Sequence, residues 1–191
     1  MSFNPLYHHT EAQLEEELRW IEAAKANPED FRPLYEKYYK AIFSYLYQRM
    51  SSKDTAFDIT SQVFLKALTH LNKYEFRGVP FSSWLYRIAH NEMVQVFRKQ
   101  KEQRVINADI NDLRFICEEN KEVFFEEYIP ALKKLIGKLN EKELQLVEMR
   151  YFEKRPFKEI AEVLEISEVN AKVRMYRIIE KLKVSIRKIN V

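Results

Sequence analysis

Glycine is almost missing from this chain: Gly78 and Gly137 are the only two in 191 residues. A Gly-rich phosphate loop or a dinucleotide fingerprint needs several, so enzymes built on either are excluded. The shortage also disfavours an all-β fold with many tight turns. A single cysteine, Cys117, leaves no internal disulfide and no Cys-based zinc site. No apolar run reaches the length of a membrane span, so no membrane insertion is expected. The opening residues MSFNPLYHH lack a basic stretch followed by an apolar core, so no signal peptide is expected and the location should be cytoplasmic. Adjacent His8 and His9 belong to an irregular end, and His90 has no second histidine at helical spacing. With no nucleophile–base pair and no metal cluster, neither an enzyme, a metal nor a cofactor is expected. A large charge excess is also lacking: 32 basic residues face 29 acidic ones. Where the charges sit therefore matters more than their sum.

What the chain has in quantity is apolar residues at helical spacing, 46% of the total, enough for a real core. Thr10 with Gln13 has the form of a capping box and predicts a helix start. Leu14, Leu18 and Ile21 give its stripe; Glu15, Glu16 and Glu17 lie in or near its first turns, where acids suit the helix dipole. Asn27-Pro28 stops it. Asp30 opens a second, unusually aromatic helix with Leu34, Tyr38, Ile42, Tyr45 and Leu46 inward. Core packing accounts for most of its rings. After the polar break Ser51–Asp54, a third helix buries Ala56, Ile59, Val63, Ala67 and Leu71. Its other face carries Asp58, Ser61, Gln62 and Leu65, and is either solvated or a docking surface.

Residues 72–80 read as a loop from their Asn, Gly and Pro. Tyr74, Phe76 and Arg77 within it either tuck into the core or stack on unpaired bases. A fourth helix follows, with Phe81, Trp84, Leu85, Ile88, Ala89, Met93 and Val96 inward. Arg87, Asn91, Gln95, Arg98 and Lys99 lie on its other side, where Asn and Gln can meet base edges and Arg the phosphates. Near residue 102 the charge turns negative: residues 102–130 hold eight acids and three bases, with poor periodicity. An acidic linker over 102–123 is expected between a helical domain at 10–101 and another at 124–191. In the second, Tyr128, Ala131, Leu132, Leu135 and Ile136 mark a helix that stops at Gly137. Asn140 with Glu143 caps the next, which runs to about Phe152.

Phe157–Leu182 completes the plan. Ile160, Ala161 and Leu164 share one face of a short helix; Ala171, Met175, Ile178 and Leu182 share one face of a longer helix. Ser167 stands at the N-cap between them. A short helix, a tight turn and a longer helix with a basic outer face form a helix-turn-helix. Ser167, Asn170, Lys172, Val173, Arg174 and Arg177 are its outward candidates. Glu165 occupies the turn, where glycine is common. The fold class is all-α, two small helical domains joined by an acidic linker.

Two stretches resemble one family in the right order. Ala56–Leu68, followed by Phe81-Ser82-Ser83-Trp84-Leu85-Tyr86-Arg87-Ile88-Ala89-His90-Asn91 and a basic tail, is similar to the second conserved region of bacterial RNA polymerase sigma factors of the extracytoplasmic-function (ECF) group. Leu146–Tyr151, Phe157–Leu164 and Lys172–Arg177 are similar to the fourth. The resemblance implies that the helix holding Asp58, Ser61, Gln62 and Leu65 docks on the basic clamp helices of core RNA polymerase. It implies that Tyr74, Phe76, Arg77, Trp84, Arg87, Asn91, Gln95, Arg98 and Lys99 engage the −10 promoter element and trap a flipped base. It implies that the C-terminal recognition helix reads the −35 element in promoter DNA. An anti-sigma factor is an expected partner, and the free chain is expected to be a monomer. Asn170-Ala171 and Val173 replace the usual Thr-Val and Ser, implying an unusual −35 sequence. The alternative is a stand-alone helix-turn-helix transcriptional regulator with an N-terminal effector or dimerisation domain.

Overall fold

The computed structural model describes residues 10–100, 110–119 and 128–189, and among these it contains helices and no strand. The irregular N-terminal end expected over residues 1–9 lies outside the described residues. The first compact unit holds helices α1 (Glu11–Ala26), α2 (Arg32–Tyr47), α3 (Lys53–Thr69) and α4 (Phe81–Gln100). The second holds α5 (Ile110–Glu119), α6 (Ile129–Ile136), α7 (Glu141–Val147), α8 (Phe157–Leu164) and α9 (Glu168–Ile189).

Local signals place the helix starts. Thr10 and Gln13 form the capping box of α1, each side chain accepting from the other's amide (3.3 and 2.9 Å). Asn27 caps a 3-10 turn over Pro28–Phe31, so α2 opens two residues after Asp30. Ser52 caps α3 by accepting from the Thr55 amide at 3.3 Å. In the first unit α3 packs on both α2 and α4, which buries Ala56, Ile59, Val63, Phe64 and Ala67 along one stripe. The aromatic helix α2 divides its rings. Tyr38 and Tyr45 are core residues, while Tyr35 and Tyr47 remain exposed at the ends of a row Tyr35–Tyr39–Phe43–Tyr47.

One expectation is corrected. Residues 110–119, expected within the acidic linker, form α5 and belong to the second unit. Leu113, Ile116 and Cys117 recur at i, i+3 and i+4 and are all buried. The helix packs on α6 and on a single π-helical turn over Glu148–Phe152. Phe115 meets the Tyr151 ring edge-on, and Arg150 pairs with Glu119 at 2.6 Å. Surrounding acids conceal this short apolar stripe when the segment is read for charge. Residues 102–109 and 120–123 of the expected linker lie outside the described residues, as does Phe124.

In the second unit Asn140 and Glu143 form the expected capping box of α7. The predicted long helix there changes at Val147 into the π turn. Lys181 of α9 donates to both Glu143 oxygens at 3.0 and 2.8 Å. Burial alone would raise the Glu143 pKa; the Lys181 hydrogen bond, the Asn140 amide and the Lys181 charge outweigh it and hold it below the usual carboxylate value. Arg155 is fully buried ahead of α8, with Nε 2.5 Å from Glu153 and its guanidinium 3.7 Å from Glu159. This network fixes the chain's entry into α8.

Candidate nucleic-acid interface

Helices α8 and α9 meet through a turn that the sequence makes with a glutamate. Glu165 takes left-handed dihedrals, φ 54 and ψ 44. The Ile166 amide reaches back to the Ala161 carbonyl (3.0 Å) and the Glu165 amide to Glu162 (3.4 Å), the paired bonds of a Schellman stop. Ser167 then accepts from the Asn170 amide at 3.2 Å and starts α9. Ala171, Met175, Ile178, Ile179, Leu182 and Ile186 are buried, each larger side chain contributing roughly 1.5–3 kcal/mol. That burial sets the rotation of α9 about its axis. Asn170, Lys172, Val173, Arg174 and Arg177 are consequently exposed together, with Ser167 at the helix start. Arg174 Nε donates to Asn170 Oδ1 at 2.9 Å, joining the two across one turn. Lys172 pairs with Glu168 at 2.6 Å.

The second group of candidates divides. Tyr74 and Trp84 are each only 8% exposed. Their rings lie 5.2 Å apart, and both pack on Phe81. Of the residues expected at the −10 element, these two rings are thus packed inside the first unit, where they brace the loop. Phe76, 42% exposed, and Arg77, which lies 3.9 Å from Glu75, remain at the surface. Along α4, Asn91, Gln95, Arg98 and Lys99 are exposed on one side and Arg87 is half-buried. Their spacing keeps them on one helical face.

The third group, Asp58, Ser61, Gln62 and Leu65, is exposed along one face of α3. Ser61 returns its hydroxyl to the Phe57 carbonyl at 3.1 Å. Leu65 is 57% exposed amid polar neighbours, an apolar side chain that the fold itself does not use. Phe57, stacked 4.3 Å from Phe43 and partly exposed, extends this face.

Sequence reasoning missed Glu17. It is 2% exposed and accepts from the Phe81 amide (3.0 Å), from Lys37 Nζ (2.6 Å) and from the Tyr38 hydroxyl. A carboxylate thus satisfies an open amide at the start of α4 and suits the dipole there. Lys25 of α1 also donates to the Tyr74 carbonyl at 3.4 Å. Helix α1 therefore holds both the loop and the start of α4. The signal was present: Glu17 falls among Leu14, Leu18 and Ile21 on the apolar stripe.

Residues 34–103 match the family described as Sigma-70 region 2, and residues 130–182 match Sigma-70, region 4. The chain is 28% identical over 165 residues to the ECF RNA polymerase sigma factor BldN of Streptomyces coelicolor, covering 85% of this chain and 62% of BldN. It is 28% identical over 151 residues to the RNA polymerase sigma factor YlaC of Bacillus subtilis, covering 76% of this chain and 86% of YlaC. In fold it is similar to CnrH in its complex with the cytosolic domain of CnrY, at a TM-score of 0.55 and 19% identity, over 88% of this chain and 94% of that one.

Proposed function

The chain belongs to the ECF group of the sigma-70 family of bacterial RNA polymerase sigma factors, and on that premise we propose how its parts divide the work. The α3 face of Asp58, Ser61, Gln62 and Leu65 docks on core polymerase. The loop after α3 and the exposed side of α4 engage the −10 element, and α9 enters the major groove at the −35 element. We assign the first two tasks to residues 10–101. The third falls to 110–191 rather than 124–191, because α5 packs within that unit.

No covalent step is required. Opening a promoter needs a surface that compensates the unstacking of a base by stacking and hydrogen bonding. Phe76 and Arg77 are exposed for that role, while Tyr74 and Trp84 hold the loop in shape from inside. Arg98 and Lys99 meet phosphates, and Asn91 and Gln95 supply amides for base edges. The protein works in the cytoplasm beside its polymerase, is a monomer when free, and is restrained by an anti-sigma factor covering these faces. No described helix is long and apolar enough to cross a membrane.

The observation that carries this reading over a stand-alone regulator is Leu65 with its neighbours on α3. A repressor has no use for an exposed leucine flanked by Asp58, Ser61 and Gln62 in a unit separate from its helix-turn-helix. Titration of labelled protein with purified core polymerase tests it. Asp58→Lys reverses the charge offered to basic clamp helices and should weaken binding about tenfold, roughly 1.4 kcal/mol. Unchanged affinity would remove Asp58 from the docking face.

A further inference from the structure

We propose that α9 reads thymine methyl groups in the −35 element through a row of apolar side chains, Val169, Val173 and Tyr176. This deepens the reading of α9 as the recognition helix and rests on it. The three residues stand at i, i+4 and i+7, and they are 70%, 43% and 66% exposed. They run along the side of α9 opposite Ala171, Met175, Ile178 and Leu182, which face the core. The row therefore occupies the middle of the outward face, within the first turns of the helix.

Nothing in the fold calls for apolar groups there. An exposed valine in a helix gains no packing, and its branched Cβ restricts its rotamers. Single exposed apolar residues are ordinary, but here three share one line. Their exposed neighbours are of the other kind: Asn170, Lys172, Arg174 and Arg177. Arg174 Nε donates to Asn170 Oδ1 at 2.9 Å, which occupies the Asn170 oxygen and leaves its NH₂ and the outer guanidinium nitrogens as donors. Along one flank of the apolar row thus lies a fixed pair of hydrogen-bond donors. Lys172 stands on the other flank.

That combination fits one partner chemistry. A recognition helix presents its N-terminal residues to base edges in the major groove. The apolar group on those edges is the C5-methyl of thymine, while donors pair with the acceptors of guanine, adenine or thymine. Two residues four apart are separated by about 6 Å along a helix axis, or roughly two base-pair steps. Val169 and Val173 therefore meet methyl groups one or two base pairs apart, on either strand. Tyr176 continues the row toward the flanking backbone.

Selection of promoters by the full holoenzyme from a library randomised upstream of the start, followed by replacement of each selected −35 thymine with deoxyuridine, tests this. Deoxyuridine lacks only the methyl. The wild-type holoenzyme should bind about fourfold more weakly per critical methyl removed, the effect of one buried carbon. Val169→Ala/Val173→Ala, which favours the helix, should bind thymine DNA more weakly and lose the deoxyuridine effect. If a −35 sequence is enriched but deoxyuridine changes nothing, or the double variant keeps the effect, the methyl reading is overturned while α9 remains a −35 reader. If no −35 sequence is enriched, the reading of α9 itself falls, and this inference with it.

Discussion

Glu165 shows how far one residue departs from the preference of its turn. Its φ of 54 lies in the region that glycine reaches without a Cβ clash, and a non-glycine residue there costs about 1 kcal/mol or more. Glu165→Gly should therefore stabilise the second unit by about 0.5–1 kcal/mol, once the added flexibility of the unfolded chain is subtracted. Hydrogen exchange of the α8 and α9 amides should slow by about twofold to fivefold; exchange that is unchanged or faster would show that the turn carries no strain. The glutamate was readable as an unusual turn residue because a helix break and a serine cap framed it. Tyr74 was not resolvable from sequence. A tyrosine between a loop and a tryptophan can face either way, and only the positions of Phe81 and Trp84 decide it.

Whole elements were legible where periodicity and capping agreed. The starts of α1, α7 and α9 follow from Thr10, Asn140 and Ser167, each accepting from a backbone amide, whereas α3 begins at Lys53, inside the expected polar break, behind a Ser52 cap. Helix α5 was hidden because three buried residues in ten give too short a pattern against a strong charge signal. The tie between α1 and α4 was hidden because a glutamate on an apolar stripe reads as solvated until its partners are known. Glu17→Ala strands the Phe81 amide, the Tyr38 hydroxyl and Lys37. The first unit should lose about 2–4 kcal/mol. Both tryptophans, Trp20 and Trp84, lie in that unit, so their fluorescence in urea reports it alone. A midpoint shift no larger than that of the exposed Glu16→Ala would deny Glu17 this bracing role.

On the scale of the molecule, a small net charge conceals a division of surfaces. In the second unit the exposed side of α9 carries Lys172, Arg174 and Arg177 around its apolar row; in the first, α3 offers Asp58 beside Leu65 while α4 ends in Arg98 and Lys99. Order and spacing along the chain made this division readable. Charge totals could not, because opposing faces cancel. On the reading proposed above, each surface has a single task, and promoter recognition requires both units to be held on one larger enzyme. Run-off transcription by purified core polymerase, with and without this chain, on a promoter carrying an intact or a scrambled −35 element, tests that requirement most directly. The account predicts initiation only when chain and core are both present, with Arg174→Ala reducing the −35-dependent signal about tenfold and core binding unaltered. Tight promoter binding by the chain alone, with no change in transcription when it joins the core enzyme, would contradict it.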